Sequence, residues 1–372
     1  MTTAAHAEQD GTVAGLLPGV PGARAEPIDQ EGPMATMQQV ADRAGVSIAT
    51  VSFVVNGTKY VTPATTAKVT AAMRELKFRG NVVARALASR RTRIIALLFP
   101  TTGNRFSPTT SEFFMNAAER ASERGYHLVL WPVDPAGEDL DDLVSGGLVD
   151  GVVLMEVRMD DPRVVKLSEL GVPFTLIGRT RDAAELPYVD IDFETTIEDG
   201  LDHLQGLGHR RFGLVLENLE GTPMAGYAPH LRVEDTFRSS VAERGGAGTI
   251  VYAGPGSEGG RDAARRLLEA DPDVTAVLVM KDDSSAGLLV GLYAAGRRVP
   301  DDVSVLSIAS SAAAGDQHHP RLSTMIAPGR ELGVRAADAL IDRLDGTSVE
   351  LPHFLLPCVL RPAESTAPAP TR

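Results

Sequence analysis

"VADRAGVSIATVSFVVNG", Val40 to Gly57, places ten apolar residues and two glycines in eighteen positions, inside the most basic part of an acidic chain. The spacing of Val40, Ala41 and Ala44 fits a short helix that stops at Gly45, a residue able to turn the chain at a helix C-terminus. Ser47 then offers a capping hydroxyl to a second helix from Ile48 to Val55, closed by Asn56-Gly57. Two short helices joined by a glycine turn form a unit whose second helix can enter a DNA major groove N-terminus first. On this reading Ala41, Gly45, Val46, Val51 and Val54 set the angle between the helices. Ile48, Ala49, Ser52 and Phe53 then face outward, with the apolar side chains suited to thymine methyls and Thr50 or Ser52 to base edges or phosphates. Thr62 and Pro63 supply a cap and first-turn proline for a third helix, with Val69, Met73, Leu76 and Phe78 along one face.

Charge separates this module from the rest. The chain of 372 residues carries −13 overall, yet residues 35–93 carry +8, ten Lys or Arg against Asp42 and Glu75, while residues 94–372 carry −17. A polyanion is the natural partner of the first part. "NVVARALASRR", Asn81 to Arg91, is a basic and weakly amphipathic stretch, too short to be a stable helix alone and therefore suited to folding when docked.

Beyond residue 93 apolar strands alternate with helical stretches. Strands are expected at 94–100, 127–131, 151–155, 173–177, 212–216, 249–252, 275–280 and 303–308. The alternation implies parallel sheets with helices on both faces, split between two lobes with a ligand cleft at the carboxyl ends of the strands. The expected organisation is a disordered tail over 1–34, with Met34 or Met37 as candidate starts; an all-α helix-turn-helix domain over 35–80; a hinge helix and linker over 81–92; a two-lobed α/β domain over 93–361; and a disordered tail over 362–372. The lone cysteine, Cys358, the lack of a basic start to the N-terminal tail and strand-sized apolar runs point to a cytoplasmic protein without a membrane span.

The run "MQQVADRAGVSIATVSFVVNG…VTPATTAKVTAAMRELKFRGNVVARALA" resembles the N-terminal domain of the lactose-repressor (LacI/GalR) family. "GHRRFGLV" (208–215), "RRVPDDVSVLSI" (297–308) and "PRLSTM" (320–325) are similar to the effector-binding region of that family, so the likeness runs from residue 36 to about 361. It implies a homodimer on a near-palindromic double-stranded DNA operator, controlled by a sugar or sugar phosphate held between two lobes of a periplasmic-binding-protein-like fold, with no cofactor, metal or catalytic group. It further implies base or backbone contacts for Ser47, Ile48, Ala49, Ser52, Phe53, Asn56, Thr62, Asn81, Ala84 and Leu87. In the family the residue matching Leu87 wedges between base pairs in the minor groove.

The chain also departs from the pattern. "FRGN" replaces "YxPN" before the hinge, Ser307-Ile308-Ala309-Ser310 replaces "GFDD", and Lys281-Asp282 replaces Asn-Asp. Arg232 is the best match to the family's effector-clamping arginine, although its spacing to Phe237 is one residue longer. The expected effector set is Asp192, Arg232, Lys281, Asp282 and Ser310, with Lys281 and Arg232 favouring an acidic or phosphorylated ligand. Asp190 and Asp192, two apart at a strand end in "YVDIDFE", invite a reading as paired catalytic acids, but the resemblance places the second near the cleft, which favours a ligand or hinge role. A sugar-binding or sugar-processing protein of the same two-lobed fold is the alternative. It lacks support from an export signal or a nucleophile. "GPGSEGG" (254–260), His318-His319, His209 and Asp301-Asp302 read as loops and turns.

Overall fold

The computed structural model describes residues 35–56, 59–78, 91–100, 107–280, 282–348 and 350–371. Contacts divide the chain into two units, 1–81 and 82–372.

The first unit holds α1 (Met37–Ala44), α2 (Ile48–Asn56) and α3 (Pro63–Glu75). Thr36 caps α1 in a reciprocal box with Gln39, and Gly45 ends it at φ 67°, a left-handed conformation that favours glycine. Ser47 Oγ accepts the Thr50 N–H at 3.1 Å, and Thr62 Oγ1 accepts the Thr65 N–H, so α2 and α3 begin where the hydroxyls were read. Val40, Ala41, Val51, Val69 and Ala72 are buried between the three helices, with Met73, Leu76 and Phe78 packed around them. Arg43 on α1 also grips Glu75 on α3 at 2.7 Å.

The second unit contains two six-stranded sheets. The first is ordered β11-β5-β4-β3-β1-β2, from β1 (Ile94–Pro100), β2 (His127–Val133), β3 (Gly151–Leu154), β4 (Phe174–Ile177), β5 (Tyr188–Ile191) and β11 (His353–Leu356). The second is ordered β12-β10-β9-β8-β6-β7, from β6 (Arg211–Glu217), β7 (Ala247–Ala253), β8 (Ala276–Val279), β9 (Ser304–Ser310), β10 (Ser323–Ile326) and β12 (Val359–Arg361). Every pairing is parallel except β10 with β12. The helices between them are α4 (Pro108–Glu123), α5 (Leu140–Ser145), α6 (Pro162–Leu170), α7 (Phe193–Gly206), α8 (Ala228–Glu243), α9 (Gly256–Ala270), α10 (Asp282–Ala294), α11 (Ala312–Asp316) and α12 (Gly329–Asp345). The chain crosses between lobes after β5, after β10 and after β11, since α12 packs on α4 while β12 returns to the second sheet. β1, β3, β6 and β8 run as near-continuous buried apolar segments, as parallel strands covered on both faces must.

Two expectations are corrected here. The sequence predicts eight of the strands, gives β5 only as a strand end at Asp190-Asp192, and does not predict β10, β11 or β12. The segment 362–372 was expected to be disordered, yet residues 362–371 pack on the second sheet. Ser365 is fully buried, its carbonyl accepts the Val305 N–H at 2.8 Å, and its hydroxyl both accepts the Ser323 N–H and donates to Val305 O. The Ala367 carbonyl lies 3.1 Å from His209 Nε2, and Ala369 N–H donates to Leu207 O. Proline-rich composition does not prevent such docking when the intervening residues supply the donors and acceptors of a sheet edge. Truncation after Arg361 is expected to lower the thermal midpoint by at least several degrees, on the order of one to two kcal/mol lost per unpaired buried group. An unchanged midpoint in a thermal scan would refute this role for the tail.

Candidate DNA-binding and effector sites

In the first unit Ser47, Ile48, Ala49 and Thr62 are exposed, and Thr50, Ser52 and Phe53 are half-buried. Ile48 retains 45% of its surface, unusual for a large aliphatic side chain at the start of a helix. Val51 turns into the core; Ala49 lies about 160° from it around the helix and Ser52 about 100°, while Ile48, about 60° away, stays exposed at the first position of α2. Lys59 Nζ sits 5.1 Å above the Phe53 ring, and Lys59, Lys68, Arg74 and Lys77 are exposed around the module. Of Asn56 only the backbone, in α2, is described. Asn81, Ala84 and Leu87 lie outside the described residues.

In the second unit a cavity of about 200 Å³ opens between the lobes. Its wall is built from strand carboxyl ends: Met155 and Glu156 after β3, Asp190 on β5, Glu217 on β6, Met280 after β8 and Ala309 on β9. Phe99, Phe113, Phe114, Phe193 and Tyr227 supply aromatic surface. Glu156 and Ala309 hold positive φ, 54° and 51°, a strained conformation for residues other than glycine that is concentrated at this wall. Gly178 also lines it at φ 118°, where an added Cβ would meet the Val157 side chain at 3.0 Å.

Of the expected effector residues, Asp282 and Ser310 come together. The Ser310 hydroxyl donates to Asp282, and Thr109 Oγ1 of the other lobe donates to it at 3.1 Å. Asp282 thus stands in the wall as a link between lobes. Lys281 lies outside the described residues.

Asp192 requires correction. Asp192 does not line the cavity; it is the N-cap of α7, accepting the Thr195 N–H at 3.0 Å and its hydroxyl at 2.9 Å. Alternate residues share a face only while a strand continues, and β5 has ended at Ile191. Asp190 lines the cavity instead. Burial pushes its carboxyl up to about 7, against the pull of Arg179, whose Nε is 3.2 Å away.

Arg232 stands behind the wall, donating to Thr180 O at 3.1 Å, reaching Met159 Sδ at 2.9 Å and lying 3.8 Å from Glu194, close enough for its charge to act on Asp190. Pro229 and His230 of the same helix line the cavity itself, and Val233 fills the core.

The lobes are also pinned directly, by residues the sequence reading did not single out. Ala228 N–H donates to Val157 O at 3.0 Å, Met159 N–H donates to Gly226 O at 2.8 Å, and Arg158 pairs with Tyr227 as an isolated antiparallel bridge. Arg158 Nη1 donates to Pro223 O, and the enclosed Tyr227 hydroxyl bonds Glu156. Beneath this strap Asp161 and Arg163 form a buried ion pair at 2.7 Å, and Arg163 Nη2 also donates to Glu156 O. A charged residue directly after an apolar strand, as Glu156 is, was the available signal.

The buried Asp190 has a pH consequence. Its folded-state proton is held more tightly than in an unfolded chain, so between roughly pH 4 and pH 7 the unfolded chain releases a proton that the folded chain keeps, and stability falls as pH rises. Asp190→Asn is expected to remove this slope, worth on the order of a few kcal/mol at most. Unfolding midpoints of both proteins at pH 5 and pH 8 measure it, and parallel losses in the two would refute it.

The architecture is that of a regulator with a helix-turn-helix head and a periplasmic-binding-protein-like body. Family models agree: residues 36–81 match bacterial regulatory proteins of the lacI family, and residues 201–366 match the periplasmic binding protein-like domain. The HTH-type transcriptional regulator CelR of Thermobifida fusca is 32% identical over 346 residues, covering 89% of this chain and 98% of that protein. Catabolite control protein A of Priestia megaterium is 28% identical, covering 86% and 96%. Among solved structures, a CelR–cellobiose complex aligns at TM-score 0.67 and 30% identity, covering 89% of this chain and 99% of that one. A lac repressor dimer bound to operator and the anti-inducer ONPF aligns at TM-score 0.73 and 25% identity, covering 90% and 100%. The chain belongs to the LacI family of bacterial transcriptional regulators. The first of these relatives is by its name a transcriptional regulator. Among the described residues no helix is long and apolar enough to cross a membrane.

Proposed function

We propose that the chain is a cytoplasmic repressor that binds a near-palindromic operator as a homodimer and changes its grip on DNA when a sugar-like molecule enters the interlobe cavity. The observation that carries this reading is the row Ser47, Ile48, Ala49, exposed at the N-terminus of α2 in a module of charge +8. Two such modules reading two half-sites explain why one small module suffices per chain. Thr50, Ser52, Phe53, Asn56 and Thr62 complete the major-groove and backbone contacts, while Asn81, Ala84 and Leu87 act in the minor groove. Asp282 is an effector contact, its carboxylate held by Ser310; Asp190 joins it in place of Asp192, and His230 adds to Arg232 on the same helix.

Effector binding acts through the pins between lobes: a ligand that replaces the Asp282–Thr109 or Glu156–Tyr227 bonds shifts the balance between lobe arrangements. Selection from a random duplex pool tests the reading, with a near-palindromic consensus expected. Recovery of no preferred sequence at low salt would overturn it. Leu87→Ala is expected to weaken operator affinity by about one to two orders of magnitude through lost wedging, leaving ligand affinity unchanged; an unaltered operator affinity in a gel-shift titration would exclude the wedge.

A further inference from the structure

We propose that the interlobe cavity selects a positively charged ligand, an amine carried on a sugar-like or aromatic frame, over neutral and phosphorylated molecules of the same shape. The proposal rests on the reading of this cavity as the effector site and adds the charge of the effector.

Five carboxylate residues line the cavity: Glu156, Asp190, Glu217, Asp282 and Asp283. Among the described lining residues none is Lys or Arg. Arg232, the expected clamp, donates to Thr180 O and Met159 Sδ and lies 3.8 Å from Glu194; of the lining carboxylates its charge acts on Asp190, together with Arg179, and leaves the other four without an arginine among the described lining residues. Hydroxyls take up carboxylate lone pairs without cancelling charge: Thr109 and Ser310 bond Asp282, and Tyr227 bonds Glu156. Arg179 offsets Asp190 but is itself shared with Glu194, which it holds at 2.6 Å.

The negative field reaches past the wall. The Glu112 carboxyl is held above its ordinary range by burial and by the charge of Asp282, and burial does the same to Asp190. Removing water from clustered like charges is costly, and an incoming cation recovers that cost where an anion adds to it. Phe99, Phe113, Phe114 and Tyr227 line the same space, and aromatic rings attract an ammonium group and not a phosphate. Two features thus coincide in one enclosed space, and both favour the same charge.

The test uses the full-length protein without DNA and three matched sets of probes: glucosamine, glucose and glucose 6-phosphate; galactosamine, galactose and galactose 1-phosphate; benzylamine, benzyl alcohol and benzyl phosphate. Binding is read by saturation-transfer NMR at concentrations up to about 10 mM, the weak-binding range appropriate to fragments. The expected result is binding of the amine in at least one set, about tenfold or more ahead of its neutral and phosphate partners. That preference should shrink to within about threefold in Glu217→Gln, which removes one charge without changing shape. A neutral or phosphate member binding as well as its amine, no amine binding in any set, or a preference untouched by Glu217→Gln with the variant folded by circular dichroism, overturns the proposal. An amine that binds but leaves operator affinity unchanged would instead count against the effector reading, while the charge preference stands.

Discussion

Operator affinity is expected to fall by roughly a thousandfold or more between 50 and 200 mM salt, the loss that accompanies six to ten phosphate contacts. The module of residues 35–93 carries +8, and the proposed dimer would present it twice. Lys59, Lys68, Arg74 and Lys77 are exposed. Arg43 is held by Glu75 at 2.7 Å and contributes less. Residues 94–372, with a charge of −17, repel a duplex and confine binding to the head. Fluorescence anisotropy over a salt series gives the slope of log affinity against log salt. Lys68→Ala and Lys77→Ala should each reduce that slope by about one if each neutralises one phosphate, and a slope near zero for the unaltered protein would remove phosphate neutralisation as the source of affinity.

The head was legible because every signal it uses is local. Gly45, Ser47, Thr62 and Pro63 fix helix ends through bonds to residues within a few positions, and Val51 follows from helix phase. Thr36 with Gln39 was an equally local signal that went unread. The α/β alternation of the body was legible for the same reason, since buried parallel strands such as Ile94–Pro100 read as apolar runs. What escaped depends on distant partners. Tyr188–Ile191 is interrupted by Asp190, whose burial is compensated by Arg179, and the edge strands His353–Leu356 and Val359–Arg361 keep exposed faces that resemble loop composition. Residues 362–371 read as tail because their docking is specified by Ser304, Val305 and Ser323, about 40 to 60 residues upstream.

The site shows the same division. Asp282 and Ser310 follow from strand-end positions in the chain, whereas Glu156 and Tyr227 meet only through a bridge between lobes.

Asp161→Ala is expected to destabilise the second unit by about 3–5 kcal/mol, the cost of leaving a buried charge without its partner. Arg163 is fully buried, and Asp161 meets it through both carboxylate oxygens, at 3.0 and 2.7 Å. Among the described residues Arg163 Nη1 has no acceptor, so little else holds the guanidinium charge. Replacing both partners, as in Asp161→Asn with Arg163→Met, should cost much less than the single change, since no unpaired ion remains. Denaturant unfolding of the three proteins decides this, and equal losses in single and double variants would mean that shape and not charge is responsible. The consequence extends to function. Asp161 Oδ2 accepts the Arg158 N–H and Arg163 holds the Glu156 carbonyl, so this pair sets the segment that Tyr227, Gly226 and Ala228 grip from the other lobe. A single variant that survives folding should therefore lose lobe pinning as well as stability, and its cavity should open to amide hydrogen exchange at Val157–Met159 before the global transition.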